Sequence, residues 1–287
     1  MPDKTSSFSV QVKNILRQSG LKARKSLGQH FLIDESVLDT IITAAELSPQ
    51  DTVIEVGPGL GILTRELARH AGSVVAVELD DKLASLLHRR LAGLSNLRVI
   101  NGDILELKLT QLLGAKSVYK VVANLPYYIT SPVLRYFVEA SPRPSLMVMM
   151  VQKEVGEAIV ASPGDMSLLA VSLQVYTRPE IVSHVPASSF YPQPKVDSVI
   201  VKFNMLAEPA VKVMDMARFF EVVRGGFSAP RKQLHNSLAH GLGFKPAEVA
   251  PLLEKAGIDS QRRAETLSLK EWQALYEVME SKVVKSD

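Results

Sequence analysis

Four short apolar runs rich in β-branched residues each close on a glycine, a carboxylate or a carboxamide, and the closing residues recur almost evenly. Thr52-Val53-Ile54-Glu55-Val56 ends at Gly57, Val74-Val75-Ala76-Val77 ends at Glu78, Leu97-Arg98-Val99-Ile100 leads to Asp103, and residues 118–123 end at Asn124. The closing residues stand 21, 25 and 21 positions apart, one strand and one helix each time. Between the runs, apolar residues return at helical spacing over 62–70 and from Asp80 or Asp81, either of which can cap, to Leu91. Alternating strand and helix make this an α/β chain with a doubly wound parallel sheet, and residues 146–151 supply a fifth strand. All four closing residues then fall on the carboxyl edge of the sheet, where open α/β folds bind ligands.

The rest of the chain reads less regularly. Residues 36–47 suit a helix capped by Asp34, and Ser131-Pro132 suits a helix start with serine as cap and proline in the first turn. Residues 166–177 suit a helix, while 181–185 and 196–203 suit two strands joined by a proline-rich loop, an antiparallel hairpin at the sheet edge. Beyond Ala207-Glu208-Pro209 only helices are expected, over 215–226, 231–240, 246–256 and 269–282. The last opens with Ser268 and Glu271 spaced as a capping box. A chain of 287 residues exceeds the usual single domain. The expected division is an α/β ligand-binding domain over 1–206, carrying a basic N-terminal arm, and a small all-helical domain over 207–287.

No apolar run approaches the roughly 18 residues of a membrane span, and the N-terminus lacks the apolar core of a secretory leader, so a cytoplasmic protein is expected. Without cysteine there is no disulfide, thiolate metal site or cysteine nucleophile, and no metal is expected. The net charge is only +3, but it is unevenly spread. Lys4, Lys13, Arg17, Lys22, Arg24 and Lys25 face a lone Asp3 in the first 30 residues, and Arg224, Arg231, Lys232 and His235 form a second basic group. Such clusters neutralise phosphates; a merely solvated face has the same composition.

The first strand-helix turn, Glu55-Val56-Gly57-Pro58-Gly59-Leu60-Gly61, is free of side chains at three positions and lets a ligand approach the backbone. Ile62 stands where the nicotinamide fingerprint wants its third glycine. Glu78 can bind two ribose hydroxyls, and Asp103 can accept from an adenine amino group, although both carboxylates also suit turns and caps. Asn124-Leu125-Pro126-Tyr127 places an amide, a rigid turn and an aromatic ring at a strand mouth, which suits amino-group chemistry on a flat base.

These residues, with Lys25-Ser26-Leu27-Gly28-Gln29-His30-Phe31-Leu32 and Phe190-Tyr191-Pro192-Gln193-Pro194-Lys195-Val196-Asp197-Ser198, resemble those of the ribosomal RNA adenine dimethyltransferases, specifically the bacterial small-subunit (16S) rRNA dimethyladenosine transferases. The resemblance covers nearly the whole chain. It implies a Rossmann-like class I methyltransferase sheet that takes S-adenosyl-L-methionine, with His30, Leu32, Gly57, Glu78, Asp103 and Asn124 at the positions that contact the donor. One departure is His30, where the family usually carries asparagine; a neutral imidazole still offers one donor and one acceptor. The implied substrate is 16S rRNA in the immature small ribosomal subunit, dimethylated at N6 of two adjacent adenosines in its 3′-terminal hairpin loop by a monomeric enzyme.

With that substrate, Asn124 and the Leu125 carbonyl would take hydrogen bonds from the N6 amine, and Tyr127 and Phe190 would stack on the ring. Two other classes remain open on residues alone. A nicotinamide dehydrogenase leaves Asn124 to Tyr127 without a purpose, and a non-catalytic RNA-binding assembly factor would keep the pocket but not the chemistry. Within the resemblance, a large-subunit rRNA methyltransferase is the nearest competitor.

Overall fold

The computed structural model describes residues 4–21, 23, 24, 28–114 and 118–283, with side chains from 8 to 281. Lys22, Lys25, Ser26 and Leu27, and the Lys4 side chain, lie outside the described residues. The chain opens with helix α1 (Lys4–Ser19), two-residue strand β1 (Phe31–Leu32) and helix α2 (Glu35–Ala45). The alternating section follows as β2 (Thr52–Val56), α3 (Ile62–His70), β3 (Ser73–Glu78), α4 (Asp81–Arg90), β4 (Leu97–Asn101), α5 (Leu109–Leu113), β5 (Lys120–Asn124), α6 (Thr130–Val138) and β6 (Leu146–Gln152). Then come α7 (Lys153–Ile159), α8 (Leu168–Gln174), β7 (Thr177–Val185), β8 (Phe190–Tyr191) and β9 (Ser198–Met205). Helices α9 (Met216–Gly226), α10 (Leu234–Leu242), α11 (Pro246–Lys255) and α12 (Leu269–Val283) end it.

Seven strands form one sheet in the order β4-β3-β2-β5-β6-β9-β7. The first five are parallel, with Val56 opposite Val77, Glu78 opposite Asn101 and Asn124 opposite Met150. β9 runs antiparallel to β6, so the sheet is mixed, as the expected edge hairpin requires. The chain leaves β2 towards β3 and β4 on one side and returns to its other side at β5, so the strand order reverses between β2 and β5. That switch point opens a crevice beyond the carboxyl ends of the two strands.

The chain divides into two compact units, one of Met1–Gly156 with Pro179–Met205 and one of Glu157–Arg178 with Leu206–Asp287. In the first unit the interiors of β2, β3, β5 and β6 are buried on both faces, and α2 and α3 cover one face through residues such as Leu38, Ile41 and Leu67. Helix α1 places Val12 and Leu16 against Leu60, Leu83 and Leu86, a packing that follows from apolar residues at 8, 12, 15 and 16. In the second unit, α9 and α10 approach closely where Gly225 meets Gly241, and Trp272 is fully buried above Gly226.

Several local expectations shift. Asp34 and Asp80 cap α2 and α4 through their carboxylates, and Ser268 and Glu271 exchange the two bonds of a capping box. Ser131 is not a cap, because the 3-10 turn Tyr127–Ile129 runs directly into α6 and the helix begins at Thr130. Helix α8 covers only Leu168–Gln174, and β7 starts at Thr177, earlier than expected; Pro179 is tolerated because β7 is the sheet edge. Pro230-Arg231-Lys232 forms a turn, so α10 starts at Leu234. Among the described residues no helix is long and apolar enough to cross a membrane.

Candidate active site

Backbone pairing first sets the rim. The amide of Gly57 donates to Val77 O at 2.9 Å, that of Gly102 to Glu78 O at 2.9 Å, and that of Leu125 to Met150 O at 3.3 Å. The backbone at the ends of β2, β4 and β5 is thus held to the neighbouring strand just past the regular ladder. Gly57 and Gly59 have φ of +67° and +57°, a region L side chains rarely adopt. A Cβ at Gly57 would lie 3.3 Å from Pro126 Cδ, and one at Gly59 would lie 3.3 Å from the Phe31 ring. The glycine turn is therefore required by the backbone itself as well as by any ligand, and it brings both the Asn124–Tyr127 loop and β1 close.

A second, two-stranded sheet closes the other side. β1 and β8 pair antiparallel with Phe31 opposite Tyr191 and Leu32 opposite Phe190, and the Ile33 amide donates to Ser189 O at 2.9 Å. Two segments more than 150 positions apart in sequence thereby form one wall.

The result is a cavity open to solvent on one side. His30, Leu32, Gly57, Glu78, Asp103, Asn124, Leu125, Tyr127 and Phe190 all line it. The Glu78 carboxylate is 6% exposed and accepts from the amides of Gly59 at 3.0 Å and Asp80 at 2.9 Å. Burial raises its pKa, with Asp80 adding to the shift and the amide bonds opposing it. Asp103 uses Oδ1 for a turn bond from Leu105 N at 2.9 Å, so it does serve the local turn, while also facing the cavity. Asn124, half-buried at the end of β5, makes no side-chain hydrogen bond within the described protein.

Tyr127 is more constrained than its sequence suggests. Its hydroxyl bonds Ser198 Oγ at 2.8 Å, and its ring stacks on His30 with centroids 5.8 Å apart and planes at 25°. Burial raises its pKa, against the Ser198 bond. The Pro192 carbonyl lies 2.6 Å from His30 Nδ1, so that nitrogen carries the hydrogen and a neutral ring keeps Nε2 as an acceptor. Phe190 is 2% exposed within the core and presents only part of its ring to the cavity.

Sequence reasoning gave Glu55 no role. It is 1% exposed, faces the cavity, and Oε2 has no hydrogen-bond partner among the described residues. Burial pushes its pKa up to about 8 and Glu78 nearby adds to this; Thr64 softens the shift, although its own Oγ1 closes no hydrogen bond. A lone carboxylate inside an otherwise apolar strand was the available signal. Asp80 was read as a cap and does more than that, because Oδ2 also holds Arg24 at 3.1 Å and Gln29 at 3.4 Å, fastening the segment before β1.

Three carboxyl groups around a cavity suit a cationic ligand, the orphaned Glu55 oxygen awaits a donor, and the glycine turn leaves a cradle that a Cβ would fill. Apolar residues such as Leu60, Ile104 and Leu125 suit a flat heterocycle in the same space. S-adenosylmethionine, with an ammonium, a sulfonium, a ribose and an adenine, fits this set.

The chain matches the ribosomal RNA adenine dimethylase family over residues 20–281. It is 52% identical over 271 residues to the ribosomal RNA small subunit methyltransferase A of Dehalococcoides mccartyi, spanning 94% of this chain and 93% of that protein. The protein of the same name from Moorella thermoacetica is 44% identical over 271 residues, 91% of this chain and 94% of its own length. Among solved structures, a dimethyladenosine transferase from Plasmodium falciparum superposes with a TM-score of 0.74 at 26% identity, covering 88% of this chain and 98% of that one. The 23S rRNA methyltransferase ErmE gives a TM-score of 0.67 at 30% identity, covering 87% of this chain and 99% of that one. The sheet is accordingly that of the class I methyltransferases, and the chain belongs to the ribosomal RNA adenine dimethylase family.

Proposed function

We propose that this protein transfers methyl groups from S-adenosylmethionine to the N6 amines of two adjacent adenosines in the 3′-terminal hairpin loop of 16S rRNA, in the cytoplasm, while the small subunit matures. The observation that carries the reading is the convergence of Gly57, Glu78, Asp103 and Asn124 on one cavity at the switch point of the sheet. The 52% identity to a small-subunit methyltransferase, against 30% to a 23S enzyme, favours the small-subunit target.

In this reading Glu78 takes the ribose hydroxyls, Asp103 the adenine amine through its remaining oxygen, and Gly57, Leu32 and His30 the rest of the donor. The bound donor supplies an electrophilic methyl group on its sulfonium. The Asn124 side chain makes no hydrogen bond among the described residues, so its carbonyl oxygen and the Leu125 carbonyl can accept from the target amine and draw the nitrogen lone pair out of ring conjugation. Tyr127 and the visible part of Phe190 hold the base flat. No general base is needed, because a methylated amine that becomes cationic sheds its proton readily to water or a carbonyl. Positioning supplies most of the rate.

The base must leave its stack to reach such a crevice, which suits a loop target. The helical region over 207–287 is assigned to RNA. Arg224, Arg231 and Lys232 are exposed and have no carboxylate partner among the described residues, and they are the candidate phosphate contacts; His235 is tied to Ser260 O at 2.8 Å. The test is methyl transfer from labelled S-adenosylmethionine to small subunits lacking the modification, with the product nucleotides mapped by mass spectrometry. N6,N6-dimethyladenosine at two neighbouring positions of 16S rRNA is expected; label in 23S rRNA alone, or none, overturns the reading.

A further inference from the structure

The wall made by β1 and β8 has an outer side. Successive residues of a strand point to opposite faces. Phe190 accordingly turns into the cavity at 2% exposure, and Tyr191 turns out at 46%. A large exposed aromatic directly behind a cavity wall is not explained by packing. Its neighbour Pro192 holds His30 through the backbone carbonyl, and His30 in turn stacks on Tyr127, so the backbone that carries Tyr191 is tied to the aromatic pair lining the cavity.

Charge marks the same spot. Lys13 Nζ of α1 sits 5.4 Å from the Tyr191 ring centroid. Lys13 is exposed and has no carboxylate partner among the described residues. A cation over an exposed ring attracts both halves of a nucleotide, since the phosphate meets the ammonium and the base meets the ring. Arg24, by contrast, is already engaged by Asp80 and is not available in the same way.

Extrusion of one base also strips a stacking partner from the next. The chain neighbours of Tyr191 reach the cavity, Phe190 by lining it and Pro192 by holding His30, so this outward ring can restore that contact, and adjacent purines are the bases that gain most from it. We propose that Tyr191, with Lys13 beside it, is a stacking platform for the base neighbouring the one that enters the cavity. The inference rests on the methyltransferase reading above and adds a second base-binding position to it.

The experiment compares wild-type protein with Tyr191→Ala, Tyr191→Leu, Tyr191→Phe and Lys13→Gln on small subunits lacking the modification, together with calorimetric binding of S-adenosylmethionine to each. Stacking of one base is worth roughly a ten- to hundredfold change in affinity. Tyr191→Ala and Tyr191→Leu are expected to raise KM for the subunit about tenfold or more, with kcat at saturation and donor affinity unchanged. Tyr191→Phe keeps the π face and is expected to stay within about twofold, and Lys13→Gln to lower the salt dependence of subunit binding by about one counterion. Leucine keeps the apolar bulk without the ring, so KM unchanged in Tyr191→Leu overturns the platform. Loss of donor affinity in both Ala and Leu variants overturns it as well, by making the ring a support of the cavity wall. Failure of the wild-type protein to transfer methyl at all is a different result, and counts against the function and not against this position alone.

Discussion

Replacing Glu55 with glutamine isolates the least comfortable group in the molecule. The carboxyl is 1% exposed, and burial moves its pKa from an ordinary 4.5 to about 8. Between those values the unfolded chain has released the proton while the folded chain keeps it. Folded protein therefore binds more protons, and stability falls as pH rises through this window, by about 1.4 kcal/mol per pH unit. Below the lower value both states are protonated and the contribution is intact; above the higher one the loss is complete. Across the whole window the loss is on the order of 5 kcal/mol, a large share of a typical domain's stability. Glutamine keeps the shape and removes the titration. Denaturant unfolding of both proteins without ligand, from about pH 5 to about pH 8, is expected to show Glu55→Gln gaining roughly 4 kcal/mol on the wild type over that range. Parallel stability curves would refute the argument, since they would mean Glu55 is ionised in the folded state throughout.

The raised pKa of Glu55 implies that a cationic donor displaces its proton: S-adenosylmethionine binding near neutral pH, measured in buffers of different ionisation heat, is expected to release protons in the wild type and fewer in Glu55→Gln. Asn124→Ala removes the side-chain acceptor and is expected to slow single-turnover methyl transfer on the order of a hundredfold while leaving RNA affinity close to normal; near-normal transfer would remove Asn124 from the mechanism. Gly57→Ala places a side chain in a positive-φ site against Pro126. A loss of about 1–2 kcal/mol in stability, together with weakened donor binding, is expected by unfolding and calorimetry, whereas unchanged donor affinity would show that the loop relaxes freely.

The alternating core was legible because its period is dictated by strand and helix length, and Gly57, Glu78, Asp103 and Asn124 mark where each strand must stop. The β1–β8 ribbon was not legible, since a two-residue strand has no period and its partners Leu32 and Phe190 are joined only in three dimensions. Helix α1 was hidden by its charge: Lys13 and Arg17 drew attention as a basic arm, while Val12 and Leu16 carried the packing. Tyr127 could be picked out as an aromatic at a strand mouth, but not the Ser198 bond or the His30 stack that orient it, because these depend on the distant 190–198 segment. Glu55 was visible in the first strand, yet only coordinates reveal that no partner accompanies it.

Determination of a crystal structure with S-adenosylhomocysteine bound bears most directly on the convergence of four strand ends. Ribose against Glu78, adenine beside Asp103, backbone contact at Gly57 and the sulfur facing Asn124 are the expected arrangement. A ligand seated elsewhere, or one that leaves Asn124 remote from the sulfur, would contradict it.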